Sequence, residues 1–129
     1  MQFTVGQRAF LDEVQYAVLG TLNADGSIQQ TVLWYLREGD DLLLSTGANS
    51  VKARNMRRNP QVTLTAMGGA RYLSIIGRAT IEPPDAALRL RMAERYVGAE
   101  RVAEWVARRP HAPRVIVRIQ PLRAYGQGV

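Results

Sequence analysis

Short apolar runs separated by tight-turn signals dominate this chain, and that pattern restricts the fold more than any other feature. Tyr16–Leu22 reads as a strand, and Asn23-Ala24-Asp25-Gly26 follows it; the Asp-Gly pair favours a tight hairpin. A return strand is expected from about Ser27 to Arg37, a second turn at Glu38-Gly39-Asp40-Asp41, and a third strand at Leu42–Thr46. Together these three predict an antiparallel meander. Gln61–Ala66 alternates polar and apolar residues, and Met67-Gly68-Gly69 turns the chain. Arg71–Glu82 is a long strand whose internal Gly77 predicts a bulge or a close backbone approach. Arg114–Ile119 alternates again, and Pro121 is expected to end that strand or to lie on an edge.

Helical periodicity is confined to shorter stretches. Thr4 is placed to cap a helix over Thr4–Gln15 in which Phe10, Leu11 and Val14 share a face. An arginine-rich helix spans about Ser50–Arg58 and stops at Asn59-Pro60. After Pro83-Pro84-Asp85, Leu88, Met92 and Tyr96 recur at i, i+4 and i+8 as a buried stripe. Val102, Trp105 and Val106 mark a second helical stretch, closed by Pro110 and Pro113. About six strands and three or four short helices, with one helical crossover before the last strand, describe a mainly β (α+β) protein. The expected architecture is an antiparallel barrel with short flanking helices, not a βαβ fold. The 129 residues suffice for one domain, 1–129, with a real core.

Composition removes whole classes of chemistry. There is no cysteine, so disulfides, thiolate nucleophiles and thiolate metal sites are excluded. His111 is the single histidine; it stands in a Pro-flanked loop and is read as an exposed loop residue. No metal site is expected, and Asp40-Asp41 reads as a hairpin turn. No run approaches the roughly 20 apolar residues of a membrane span, and Met1–Arg8 lacks the pattern of a signal peptide, so a cytoplasmic protein is expected. Net charge is +6, and Lys52 is the only lysine among 17 basic residues. Such a surface suits nucleic acid, lipid or a polyanionic small molecule. The aromatic residues are few and are not interleaved with the basic cluster, which argues against a single-strand nucleic-acid platform. Glu94, Glu100 and Glu104 sit among arginines at helical spacing and read as surface ion pairs of small worth.

Chemistry concentrates in Ser45–Pro60. A strand ends in two hydroxyl residues, a glycine turn follows, and a helix starts with Lys52 in its first turn. Backbone N–H groups at a helix start favour an anion. Ser45, Thr46 and Ser50 can donate hydrogen bonds, Lys52 adds a point charge, and Arg54 adds a fork. The same residues also suit a capped surface helix with a solvated basic face.

Asp25-Gly26-Ser27, Thr31-Val32-Leu33-Trp34-Tyr35, Ser45-Thr46 and the string Ser50–Val62 resemble the flavin-binding split-barrel family around pyridoxamine-phosphate oxidase. The Lys-x-Arg-Asn-hydrophobe-Arg-Arg-x-Pro string at Lys52–Pro60 is most similar to the small branch that uses the deazaflavin coenzyme F-420. Gly77-Arg78-Ala79, Arg114–Val117 and Tyr125-Gly126 match its layout, so the resemblance covers roughly Phe10–Gly126. It implies an antiparallel split β-barrel of the FMN-binding-protein type and a homodimer with two cofactor sites at the subunit interface. It implies cofactor phosphate near Ser45, Thr46, Ser50 and Lys52, with Arg54 nearby, and the tricyclic ring along Val32, Leu33 and Trp34.

Departures bear on the branch. True pyridoxamine-phosphate oxidases carry an arginine and a lysine where this chain has Gln30 and Tyr35, and an Arg-Lys pair where it has Val51-Lys52. Their C-terminal Arg-x-His segment has no counterpart here, which argues against vitamin B6 oxidation. Some deazaflavin-branch members carry a further arginine where this chain has Ser50. The implied activity is an F-420-dependent oxidoreductase passing a hydride to an unsaturated small molecule. The alternatives are an FMN-dependent oxidoreductase of the same fold and a cofactor-binding protein without turnover. Trp34 and Tyr35 alternate on their expected strand, one toward core or pocket and the other toward a dimer contact. Trp105 and Tyr96 read as helix-to-barrel packing. No catalytic proton donor is legible.

Overall fold

The computed structural model describes residues 1–109 and 112–129; the reading of His111 falls outside the described residues. Along the chain the elements are α1 (Val5–Asp12), β1 (Ala17–Leu22), β2 (Ile28–Leu33), β3 (Leu36–Glu38), β4 (Asp41–Gly47) and α2 (Val51–Arg58). They continue with β5 (Gln61–Gly68), β6 (Arg71–Glu82), α3 (Ala86–Val97), α4 (Val102–Ala107) and β7 (Arg114–Gln127). All seven strands join one antiparallel sheet in the order β2-β1-β5-β6-β7-β4-β3.

The order corrects two expectations. The return strand expected at Ser27–Arg37 breaks at Trp34-Tyr35 into β2 and β3, which stand at opposite edges of the sheet. The meander therefore does not form: β4 pairs with β3 and β7 instead of β2. The reason is one of reach. Laid flat, seven strands put their edges roughly 29 Å apart, whereas the chain from Leu33 to Leu36 spans at most about 11 Å. The sheet must curl until its edges nearly meet, which yields a split barrel filled by Leu19, Leu42, Leu44, Leu64, Ile75, Val117 and Ile119, all essentially inaccessible.

Tyr35 locks the crossing. It is 0% exposed, so it leaves the alternation that a continuous strand would have imposed. Its hydroxyl donates to the Leu11 carbonyl at 2.8 Å and accepts from Gln15 Nε2 at 3.1 Å. Its backbone N–H donates to the Tyr96 hydroxyl at 3.2 Å, and that hydroxyl donates to the Gln15 carbonyl at 2.7 Å. The Arg95 guanidinium donates to the carbonyls of Leu11, Asp12 and Glu13 at 2.7–3.0 Å. Those oxygens end α1, whose last turn carries no basic residue of its own. Thr4 caps the other end of α1 in a reciprocal capping box with Gln7. The helix stops at Asp12, so Val14 is exposed and does not share the buried face of Phe10 and Leu11.

Strand β7 runs through Pro121 to Gln127, longer than expected. Its pairing with β4 stops at Ile119, so the missing N–H of Pro121 faces no partner strand there. A bulge shifts the register with β6 between Ile76 and Gly77. A Cβ on Gly77 would stand 2.6 Å from Ile119 Cγ2 and 2.9 Å from the Gln120 carbonyl oxygen, so this glycine makes both a bulge and a close approach.

Helix α2 is tied to the β1–β2 hairpin by Asn55, a member of the basic string that is only 3% exposed. Its Nδ2 donates to Thr21 Oγ1 at 3.0 Å and to Asn23 Oδ1 at 2.9 Å, and its Oδ1 accepts from Arg58 at 2.7 Å. Asn55→Ala leaves the buried Thr21 hydroxyl without this donor, cuts the ties to Asn23 and Arg58, and should cost about 2 kcal/mol of unfolding free energy in denaturant titration; an unchanged midpoint would show that the knot is dispensable.

Burial pushes the Tyr35 hydroxyl up to about 12 from an ordinary 10.0. Its native-state pKa is raised, so its contribution is complete below pH 10 and declines as pH rises to 12. The wild type should lose about 2 kcal/mol across that window beyond any loss in Tyr35→Phe. Parallel stability–pH curves for the two proteins would contradict this.

Candidate cofactor and substrate site

Strand β4 turns successive side chains to opposite faces, and this separates its two terminal hydroxyls. Thr46 is buried and shares a hydrogen bond at 3.3 Å with Ser50 Oγ. Ser50 caps α2, accepting from Ala53 N–H at 3.2 Å. Both hydroxyls thus shape the start of α2 from within. Ser45 faces the other way, where its Oγ accepts from Arg114 Nε at 3.0 Å. Arg57 closes the intervening turn by donating to the Ala48 carbonyl at 2.7 Å.

Lys52 is half-buried on the first turn of α2. Burial, and then the neighbouring Arg114 charge, hold its ammonium below the usual lysine value. Burial likewise depresses Arg114, with a smaller push from Arg89. Among the described residues, no carboxylate lies within ion-pair distance of Lys52, Arg89 or Arg114. Partly desolvated cations side by side without a counter-ion are a cost that an anion relieves. The residues therefore fit a phosphate group beside α2.

Next to these cations lies a cleft of about 320 Å³ lined by Leu33, Trp34, Ser45, Arg89, Met92, Trp105, Arg109 and Arg114. The indole of Trp34 stacks on Tyr96 at 4.7 Å and 3°, and meets Trp105 at 5.4 Å. Trp34 belongs to the short link between β2 and β3, Tyr96 to α3 and Trp105 to α4. The expected helix-to-barrel packing of Tyr96 and Trp105 is present, and it also builds one wall of the cleft.

Of the eight residues singled out from sequence, Leu33, Trp34 and Ser45 share this cleft, and Lys52 stands close to Arg114. Thr46 and Ser50 pair with each other. Val32 is 64% exposed on the outer face of β2, and Arg54 is exposed on α2. Sequence reasoning missed Arg89, Met92, Arg109 and Arg114 as lining residues. Arg114 opens an alternating strand next to Ser45, a signal that becomes readable only when β4 and β7 are known to pair. The others reach the cleft from α3 and just beyond α4, remote in sequence. The lining offers cations, indoles and apolar surface, but neither a carboxylate nor a thiol, a chemistry suited to a flat anionic ligand.

A family model described as "Pyridoxamine 5'-phosphate oxidase" matches residues 4–128. An F420H(2)-dependent biliverdin reductase from Mycobacterium tuberculosis (strain CDC 1551 / Oshkosh) is 32% identical over 123 residues, covering 92% of this chain and 83% of that protein. Among solved structures, an F420 reductase superposes with a TM-score of 0.77 at 25% identity, covering 95% of this chain and 98% of the other. A conserved hypothetical protein from Mycobacterium tuberculosis gives 0.74 at 28% identity, covering 96% and 84%. The haem storage protein HutZ from Vibrio cholerae gives 0.68 at 17%, covering 97% and 94%, a likeness of fold alone. The split barrel, the basic start of α2 and the match over nearly the whole chain together make this protein a member of the pyridoxamine 5'-phosphate oxidase family, with reductases that use F-420 among its relatives.

Proposed function

We propose that this chain is an F-420-dependent reductase that delivers a hydride to an unsaturated small molecule. The observation that carries the reading is the uncompensated pair of Lys52, in the first turn of α2, and Arg114, at the start of β7, in a chain whose relative at 32% identity is an F420H(2)-dependent biliverdin reductase. Lys52, Ser45 and the α2 start framed by Thr46 and Ser50 hold the cofactor phosphate, and Arg54 strengthens the positive field from solvent. Leu33 and Trp34 flank the ring. When bound, the deazaflavin supplies the hydride; the protein orients it and keeps water away. The indole and aliphatic lining lowers the local dielectric and strengthens each fixed charge. Val51 stands where the flavin-specific oxidases carry an arginine, which favours F-420 over FMN.

The proposal includes a homodimer with cofactor sites at the subunit interface. Val32, Val18, Thr65, Ser74 and Tyr125 are directly paired across five neighbouring strands and so share one outer face. Val32 and Tyr125 are 64% and 57% exposed, and Ile28 and Met67 are also exposed. A second copy covers such a face.

Titration with F-420 and, separately, with FMN, followed by quenching of Trp34 and Trp105 fluorescence, tests the cofactor. F-420 should bind tighter than FMN, and Lys52→Ala should weaken F-420 by about tenfold or more; a preference for FMN would move the protein to the flavin-dependent reading. Val32→Asp should convert a dimer to a monomer in sedimentation equilibrium. A wild type that sediments as a monomer would remove the interface from the proposal.

A further inference from the structure

Arg89 and Arg109 are held in an unusual way. Their guanidinium carbons lie 5.6 Å and 4.7 Å from the centre of the Trp105 ring. Among the described residues neither is within ion-pair distance of a carboxylate. Other arginines of this protein do find acids: Arg37 meets Asp12 at 2.7 Å, Arg71 meets Glu13 at 2.8 Å and Arg118 meets Glu82 at 2.8 Å. A cation over an aromatic face is positioned without spending its in-plane N–H donors. Arg114, fixed through Nε to Ser45, keeps its terminal nitrogens available in the same way. Three guanidiniums from three parts of the chain thus converge on one cleft with donors unspent.

The cleft also has a shape preference. Trp34 and Trp105 line it, Leu33 and Met92 add apolar surface, and Trp34 is braced from behind by its parallel stack on Tyr96. A second hollow of about 360 Å³ adjoins it and shares Ser45, Arg89 and Arg114, so a ligand longer than one ring system has somewhere to extend.

We infer that the α3–α4 side of the cleft is an acceptor subsite for a flat, conjugated molecule bearing carboxylates, gripped by Arg89 and Arg109 and flanked by Trp34 and Trp105. The subsite is distinct from the phosphate position at Lys52. It deepens the reductase reading and rests on it where the ligand is called the hydride acceptor. Binding itself can be measured without the cofactor.

Pyrene-1-carboxylate and its neutral match 1-pyrenemethanol serve as probes of the intact protein. Energy transfer from the two tryptophans, both lining the cleft, reads occupancy. The carboxylate should bind about tenfold tighter than the alcohol. Arg89→Gln and Arg109→Gln should each abolish most of that preference while leaving alcohol binding, thermal stability and F-420 affinity nearly unchanged. Lys52→Ala should do the reverse, weakening F-420 and sparing pyrene-1-carboxylate. Equal affinity of the wild type for the two pyrenes would overturn the subsite. So would a loss of F-420 binding in Arg89→Gln and Arg109→Gln as large as that in Lys52→Ala, because the arginines would then serve the cofactor. Retention of F-420 binding in Lys52→Ala would sink the cofactor assignment alone and leave the pyrene result standing.

Discussion

Two residues carry the chain from one edge of the sheet to the other, and the rest of the molecule is arranged around that short passage. Trp34-Tyr35 lets β2 and β3 stand at opposite ends of the strand order only because the sheet curls. Curling creates the interior that Leu19, Leu42, Leu64 and Ile119 fill. It also creates the seam where α1 and α3 must pack. The hydroxyls of Tyr35 and Tyr96 and the guanidinium of Arg95 satisfy the backbone groups that a broken strand and a helix end would otherwise leave without partners there.

The same passage positions the site. Tyr35 turns inward, so its neighbour Trp34 is left on the outer side of the seam, where α3 and α4 supply Tyr96 and Trp105. The aromatic wall is therefore a by-product of closing the barrel. The cations arrive separately: Lys52 through α2, Arg114 through the pairing of β7 with β4, and Arg89 and Arg109 through the helical crossover. The barrel fixes the first two on rigid elements, while the last two depend on α3 and the end of α4.

The basic string Lys52–Pro60 shows how one motif can mix roles. Asn55 is buried and ties α2 to the β1–β2 hairpin, Arg57 and Arg58 bond to the carbonyl oxygens of Ala48 and Leu22, and Lys52 is left half-buried near another cation. A helix that reads as a uniformly basic face thus spends several of its polar groups on anchoring itself. That anchoring keeps the single lysine in place.

Local pattern was enough to determine the strand-rich class, the Asp25-Gly26 hairpin, the Thr4, Ser50 and Asp85 starts of helices and the bulge at Gly77, because turns, caps and alternation depend on neighbours within a few residues. The family likeness and the Ser45–Pro60 segment were legible for the same reason. Tertiary structure alone decided that Ser27–Arg37 would break, because the cost of breaking a strand is repaid only by burial of Tyr35 against residues elsewhere in the chain. It alone set Thr46 and Ser45 to different tasks and drew Arg89, Arg109 and Arg114 around two indoles. Charges so far apart in sequence acquire a common meaning only when the curled sheet and its crossover helices bring them to one cleft.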